Sequence, residues 1–190
     1  MSRIIAGLAG SIRLAPAPSG TRPSSDRLKE SLFSQLENIG AIEGANVLDL
    51  FAGTGALGLE ALSRGAKSLV GIDSNRAAIQ VCLRNSATVG SALNQAGVRP
   101  PMEFKVSDAF AYVSGITKEF DLILIDPPYD LAHNRVEARW ELVAGVLASG
   151  GYVALEQSSK VDITAPKSLA NVDRRVYGDS AVWLFRANAQ

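Results

Sequence analysis

From residue 47 to residue 157 the chain alternates short apolar runs with stretches of helical period. That alternation constrains the fold more than any other feature. Residues 47–51, 68–73, 103–106, 121–126 and 151–157 read as five strands. Four are rich in Val, Ile, Leu or Phe and lack strict polar alternation. Runs apolar on both faces are what a sheet buried on both sides requires. Between them, residues 56–63, 75–89, 109–114 and about 136–147 have helical spacing. Strand and helix in turn predict a doubly wound, mostly parallel α/β sheet with helices on both faces. Residues 90–101 (GSALNQAGVRPP) read as a polar loop without periodicity. The end differs: residues 172–177 and 181–186 flank Gly178-Asp179-Ser180. This predicts an antiparallel hairpin that completes a seven-stranded sheet.

The front differs as well. Residues 3–6 and 12–15, joined through Gly7 and Gly10, predict a small hairpin. Ser24 or Ser25 reads as the N-cap of a helix running to Asn38, with Asp26 favourable in its first turn. Leu28, Leu32, Leu36 and Ile39 then share the docking face, and Arg27 lies opposite. The expected organisation is a basic substrate-binding extension over residues 1–22 and a catalytic domain over 23–190, together one compact unit.

Composition bounds the setting. The 190 residues are 47% hydrophobic and 20% charged, enough for one ordinary core. No apolar run reaches the roughly 18 residues of a membrane span. The first residues lack the continuous apolar core of a signal peptide. A single Cys82 leaves neither a disulfide framework nor a Cys-rich zinc site. A reducing, cytoplasmic setting is expected. Nineteen basic residues balance nineteen acidic ones. Residues 1–30, however, hold five basic against two acidic residues, a net +3, so the remainder carries −3.

Asp49-Leu-Phe-Ala-Gly53-Thr-Gly55-Ala-Leu-Gly58 follows a predicted strand and opens a predicted helix. Glycines there allow a tight turn and close approach to a ligand. Asp73 ends the next strand, twenty residues after Gly53, where a carboxylate can accept both hydroxyls of an adenosine ribose. Strand, helix and acid together indicate a nucleoside cofactor. A pyrophosphate at the turn would meet the negative charge of Asp49, which disfavours a nicotinamide dehydrogenase. S-adenosylmethionine carries a sulfonium and an ammonium and no phosphate, and suits the turn. At this point the sequence resembles the class I S-adenosylmethionine-dependent methyltransferases, whose sheet also ends in an antiparallel hairpin. That resemblance implies a ribose contact at Asp73. Asp108 reads equally as a neighbour of the adenine amine and as a plain helix N-cap.

Asp126-Pro127-Pro128-Tyr129 follows the fourth strand of the alternation. Two prolines hold φ and remove two donors, so neighbouring carbonyls can face a site rigidly. A carboxylate, a proline carbonyl and an aromatic face suit an exocyclic amine on a planar base. Asp-Pro-Pro-Tyr is the form found in amino-methyltransferases of adenine, guanine, cytosine or glutamine, and it indicates the target atom without the substrate.

Arg3-Ile-Ile-Ala-Gly7, Thr21-Arg-Pro-Ser-Ser-Asp-Arg27, Glu30-Ser-Leu-Phe33, residues 48–65 and residues 126–129 together resemble the RsmD family, as does Tyr177-Gly178-Asp179. Ser24-Ser25 and Lys29 depart from the Thr-Thr and Arg common there. The resemblance implies methyl transfer from S-adenosylmethionine to the N2 amine of a guanine in 16S rRNA. The expected substrate is an assembled or assembling small ribosomal subunit, and the expected state is a monomer without membrane or metal. It places catalysis at Asp126, Pro127, Pro128 and Tyr129. Cofactor contacts fall at Asp49, Phe51, Ala52, Gly53, Thr54, Gly55, Leu57 and Gly58, at Asp73 and Ser74, and at Asp108 and Ala109. RNA contacts fall at Arg3, Arg13, Thr21, Arg22, Pro23 and Arg27. An adenine-N6 methyltransferase on DNA or RNA and a non-catalytic RNA-binding assembly factor remain alternatives. His133 reads as an exposed loop residue, Cys82, Trp140 and Trp183 as packing, and Arg174 and Arg175 as a solvated strand face.

Overall fold

The computed structural model describes residues 2–17, 26–128 and 139–188. Its seven strands are β1 (Asn46–Asp49), β2 (Ser68–Asp73), β3 (Met102–Val106), β4 (Phe120–Ile125), β5 (Leu147–Ser158), β6 (Leu169–Tyr177) and β7 (Ser180–Ala187). They form one sheet in the order β3-β2-β1-β4-β5-β7-β6. β1 to β5 run parallel, and β7 runs antiparallel to both β5 and β6. This is the mostly parallel α/β sheet with a terminal antiparallel hairpin that the alternation predicts, and it is the arrangement that the resemblance to class I methyltransferases implies.

The central strands are buried on both faces because consecutive side chains point to opposite sides. Val47 and Leu48 are both fully buried, as are Leu122 and Ile123. One face packs α1 (Asp26–Asn38), α2 (Ala56–Ser63) and α3 (Arg76–Gln95) through Leu32, Leu36, Leu59 and Val89. The other packs α4 (Ala109–Ser114) and α5 (Trp140–Ala144) through Phe110, Val113, Trp140 and Val143. No described helix is long and apolar enough to cross a membrane.

Three sequence expectations are corrected. Residues 90–95 are helix, not loop, and α3 continues to Gln95. Val89 and Leu93 are both fully buried one turn apart, so the apolar stripe outlasts the polar composition on the solvent side. The helix expected to reach residue 147 ends at Ala144, and Leu147 already pairs with Phe120 in the sheet. Between that pair and Leu122–Tyr152 the register shifts. Gly151 permits the detour, since a Cβ there would lie 2.9 Å from the Asp121 carbonyl oxygen. Ile39 does not join the docking face of α1 and is 37% exposed. It follows the last helical residue, and Phe33 and Lys29 are buried instead.

Residues 2–17 form an arm pinned to α1 and α2. Arg3 and Arg13 make an isolated antiparallel bridge, flanked by hydrogen bonds between Ile4 and Ile12 and between Leu14 and Ser2. Ile4 and Leu14 enter the main core. The fully buried Glu60 of α2 accepts the Ile5 and Ala6 amides at 2.6 and 3.1 Å and pairs with Arg64 at 2.7 Å. Buried Lys29 donates to Ser2 Oγ at 3.0 Å and to the Arg3 carbonyl at 2.7 Å. Truncating Glu60 strands two amides and leaves the buried Arg64 guanidinium with Glu37 alone, and breaking such a buried pair costs about 3 kcal/mol. Glu60→Ala is therefore expected to lower the urea midpoint by that equivalent, whereas the exposed Glu103→Ala leaves it unchanged.

Candidate functional site

Strand order reverses between β1 and β4, because the chain leaves β1 toward β2 and β3 and returns to β1's other side. In open α/β sheets the crevice beyond the carboxyl ends at such a point is where ligands bind. Both sequence motifs open there: the glycine turn follows β1, and Asp126-Pro127-Pro128 follows β4.

The glycine turn is held from every side. The Leu50 amide donates to the Leu124 carbonyl at 3.0 Å, and the Ala52 amide to the Ile72 carbonyl at 2.9 Å. Gly53 and Gly55 take φ of 54° and 78°, the left-handed region glycine favours. A Cβ on Gly53 would meet nothing nearer than the Phe51 carbonyl at 3.9 Å, so space opens above the turn. At Gly58 a Cβ would lie 2.5 Å from the end of the Leu69 side chain, so α2 sits close against β2 and a larger residue would require Leu69 to shift. Ala52 and Leu57 are buried beside the turn, and Phe51 meets Phe110 edge to face at 6.2 Å.

The carboxylates differ in state. Asp73 is half-buried; Oδ2 accepts the Gly53 amide at 2.9 Å and Oδ1 the Asn75 amide at 2.8 Å. It thus ties the end of β2 to the turn, with Ser74 exposed beside it. Asp108 caps α4, its Oδ1 accepting from Phe110 and Ala111 at 3.0 and 2.9 Å. The cap is therefore real, and it leaves the exposed carboxylate near the same rim as buried Ala109. Asp49 is 1% exposed. Its Oδ2 accepts the Gly58 amide at 3.1 Å, and its Oδ1 has no hydrogen-bond partner. Desolvation raises its pKa to about 7, against the lowering by the Gly58 and Phe51 amides. A buried acid under an open glycine turn, with one oxygen unmatched, fits a cationic ligand and opposes a phosphate.

At the second motif Asp126 is half-buried, Pro127 buried and Pro128 exposed. Ile125 pairs with Leu155, which puts the buried Glu156 next along β5, beside the turn. Tyr129 lies outside the described residues, as do His133, Thr21, Arg22 and Pro23. Arg13 and Arg27 are exposed. Arg3 is 56% exposed and pairs with Asp26 at 3.2 Å. Because bridged residues point to one side, Arg3 and Arg13 project together. Cys82, Trp140 and Trp183 are buried as expected. Arg174 and Arg175 are exposed as expected, and the Arg174 guanidinium also lies over the Trp183 ring at 5.0 Å.

Sequence reasoning missed Glu60, Ser63, Asn85 and Glu156. The available signal was polarity in an apolar stripe: Asn85 falls among Ala78, Cys82 and Val89 on the buried face of α3. Among the described residues no cluster of His, Cys, Asp or Glu has the makings of a metal site.

A family sequence model described as Conserved hypothetical protein 95 matches residues 2–186. Ribosomal RNA small subunit methyltransferase D of Escherichia coli (strain K12) is 33% identical over 187 residues, covering 94% of this chain and 86% of that protein. The chain belongs to the RsmD family of methyltransferases. YlbH of Bacillus subtilis (strain 168) is 30% identical over 177 residues, covering 90% of this chain and 91% of its own. The solved structure of Escherichia coli yhhF superposes with a TM-score of 0.80 at 31% identity, over 100% of this chain and 99% of that one. The rRNA methyltransferase aviRa of Streptomyces viridochromogenes shares the fold at 17% identity, with a TM-score of 0.72 and coverage of 94% and 91%.

The state of Asp49 has a measurable consequence. Its folded-state pKa lies above the unfolded one, so the stabilisation is complete below about pH 4 and lost as pH rises through about 7. In the ligand-free protein, Asp49→Asn is expected to remove roughly 3 kcal/mol of pH dependence between pH 5 and pH 8. Urea midpoints of both proteins at those two pH values check this; equal slopes would show that Asp49 does not titrate there.

Proposed function

We propose that this RsmD-family protein is an S-adenosylmethionine-dependent methyltransferase for the N2 amine of a guanine in 16S rRNA, acting on an assembled or assembling small ribosomal subunit. The observation that carries the reading is the placement of the Asp49–glycine turn and Asp126-Pro127-Pro128 on neighbouring strands at one crevice. The rRNA substrate rests on the name of the Escherichia coli relative. The guanine amine rests on the Asp-Pro-Pro-Tyr motif and the family resemblance.

S-adenosylmethionine, when bound, supplies a methyl group activated by a positive sulfur. The chain's own residues bind and orient. Asp73, already fastened to Gly53, offers the remaining lone pairs of both oxygens to ribose hydroxyls. Asp49 places its unmatched negative charge under the turn for the cationic part of the ligand. The bare surface of Gly53 lets the backbone approach, and Phe51, Ala52, Thr54, Gly55, Leu57 and Gly58 shape the same turn. Ser74, Asp108 and Ala109 line the adenosine side.

The amine nitrogen of guanine is a poor nucleophile because its lone pair is delocalised into the ring. Asp126 and the Pro127 carbonyl accept its two N–H bonds, and Tyr129 stacks on the base. Those hydrogen bonds would draw the nitrogen out of conjugation and leave its lone pair available for the methyl group that the cofactor would supply. As the N–C bond forms the S–C bond would break, S-adenosylhomocysteine would be left, and one N–H proton would be released. Alignment and fixed dipoles supply most of the acceleration. Pro127 and Pro128 keep the acceptors in place without competing amides. Arg3, Arg13, Thr21, Arg22, Pro23 and Arg27 hold the RNA backbone.

Transfer of labelled methyl groups to small subunits lacking the modification tests the reading. Label is expected in N2-methylguanosine. Asp126→Ala is expected to lower kcat by at least about a hundredfold with cofactor affinity nearly unchanged. Label in N6-methyladenosine, or full activity of Asp126→Ala, would overturn it. Arg13→Ala and Arg27→Ala are each expected to weaken RNA binding and to reduce the salt slope of log Kd by about one. Filter binding between 50 and 200 mM salt, a range of roughly fourfold, reads that change.

A further inference from the structure

Two parts of the proposed reaction machinery meet at one side chain that neither motif contains. Asn85 sits on α3 and is 3% exposed. Its Oδ1 accepts the Ala15 amide at 2.7 Å, and its Nδ2 donates back to the Ala15 carbonyl at 3.4 Å. The same Nδ2 donates to the Thr54 carbonyl at 2.8 Å. Thr54 lies between the two glycines of the turn, and Ala15 lies in the arm, two residues beyond Arg13. One turn earlier on α3, Cys82 Sγ donates to the Gly53 carbonyl at 3.3 Å. Two carbonyls of the glycine turn are thus held by α3, and one of the two holders also grips the arm. Among the described residues, Asn85 is the side chain whose hydrogen bonds reach both the glycine turn and the arm.

The amide orientation follows from its partners. A backbone N–H needs the oxygen, and two carbonyls need the NH2 group, so a flipped amide would lose all three bonds. A buried group with this pattern has little freedom to move alone. Displacing the Thr54 carbonyl moves the NH2 group, and the bidentate pairing carries that motion to Ala15. The other attachments of the arm run to α2 and α1, through Glu60, Ser63 and Lys29, and bypass the turn.

We propose that Asn85 is a positioning residue that couples cofactor occupancy of the glycine turn to the placement of the RNA-binding arm. This rests on the cofactor and RNA sites proposed above. Ordering the turn around a ligand orders Ala15 and with it the nearby Arg13, so each ligand binds more tightly when the other is present. Linkage requires the effect to be equal in both directions.

The test is a thermodynamic cycle on the full-length protein, with S-adenosylhomocysteine as probe and small subunits lacking the modification as RNA. In the wild type, saturating S-adenosylhomocysteine is expected to tighten RNA binding about tenfold. RNA is expected to tighten S-adenosylhomocysteine binding by the same factor. Asn85→Leu, nearly isosteric and without polar atoms, is expected to reduce both factors to about twofold or less while each binary affinity changes far less. Asn85→Asp keeps the acceptor for Ala15 but sets a carboxylate oxygen against two carbonyls, and it should uncouple in the same way. It also keeps the test informative if Asn85→Leu is poorly folded. Hydrogen exchange gives a second readout. S-adenosylhomocysteine should slow exchange of the Ala15 amide in the wild type and leave it unchanged in Asn85→Asp.

A purely structural role would lower thermal stability and both binary affinities while leaving the coupling factor intact, and that result would overturn the proposal. A wild-type coupling factor of one, with both ligands bound normally, would overturn the coupling alone. Failure of the wild type to bind S-adenosylhomocysteine would overturn the cofactor reading first and the coupling with it.

Discussion

The seat of α2 on the sheet governs what surrounds it. Gly58 brings the helix so close to β2 that a Cβ would lie 2.5 Å from Leu69. That contact puts the Gly58 amide over Asp49 and sets where the glycine turn must enter the helix. It also presents Glu60 and Ser63 on the far side of α2, where they capture the amides of Ile5, Ala6 and Ala9. A larger residue at position 58 would press on the end of the Leu69 side chain and on the Asp49 carboxylate, whose Oδ2 lies 3.3 Å from where its Cβ would sit.

The two buried carboxylates near that helix show how one protein handles similar charges differently. Glu60 is fully buried but accepts two amides and pairs with Arg64, which also reaches Glu37. Its charge is spent within the protein and joins the arm to the core. Asp49 holds the Gly58 amide at one oxygen and has no hydrogen bond at the other, and burial, only partly offset by the Gly58 and Phe51 amides, raises its pKa to about 7. A site retained in that costly state is suited to a ligand that brings its own positive charge. Asp73 lies between these extremes, half-buried with each oxygen partly used. The balanced net charge of the chain therefore hides a local pattern. Acids gather at the crevice, and Arg3 and Arg13 project together from the arm.

Much of the fold was legible because burial on both faces leaves a direct trace in composition. The runs that became β1, β2 and β4 are apolar at consecutive positions, and the hairpin of β6 and β7 announces itself through Gly178 and Asp179. Residues 90–95 were illegible for the opposite reason. Gly90, Ser91 and Asn94 have weak helix propensity, while Leu93, with Ala92 beside it, holds the stripe to the core. Tertiary packing overrode local preference there. The start of β5 at Leu147 was hidden by Gly150 and Gly151, whose detour only the neighbouring strand makes possible. At the site, motif spacing pointed to Asp49, Gly53, Gly58 and Asp73. It gave no hint of which acid would be unmatched.

The sequence by itself determined the alternation of elements, the class of fold and the two motifs that meet at its centre. Those depend on local periodicity and on residues with unusual backbones, glycine and proline, whose effects are felt within a few positions. Tertiary structure alone decided that both motifs open at the β1–β4 reversal, that Asp49 is desolvated and Glu60 compensated, and that Asn85 joins residue 15 to residue 54. Burial, charge state and long-range hydrogen bonding depend on what packs against a side chain from distant parts of the chain. No spacing along the sequence records that neighbourhood.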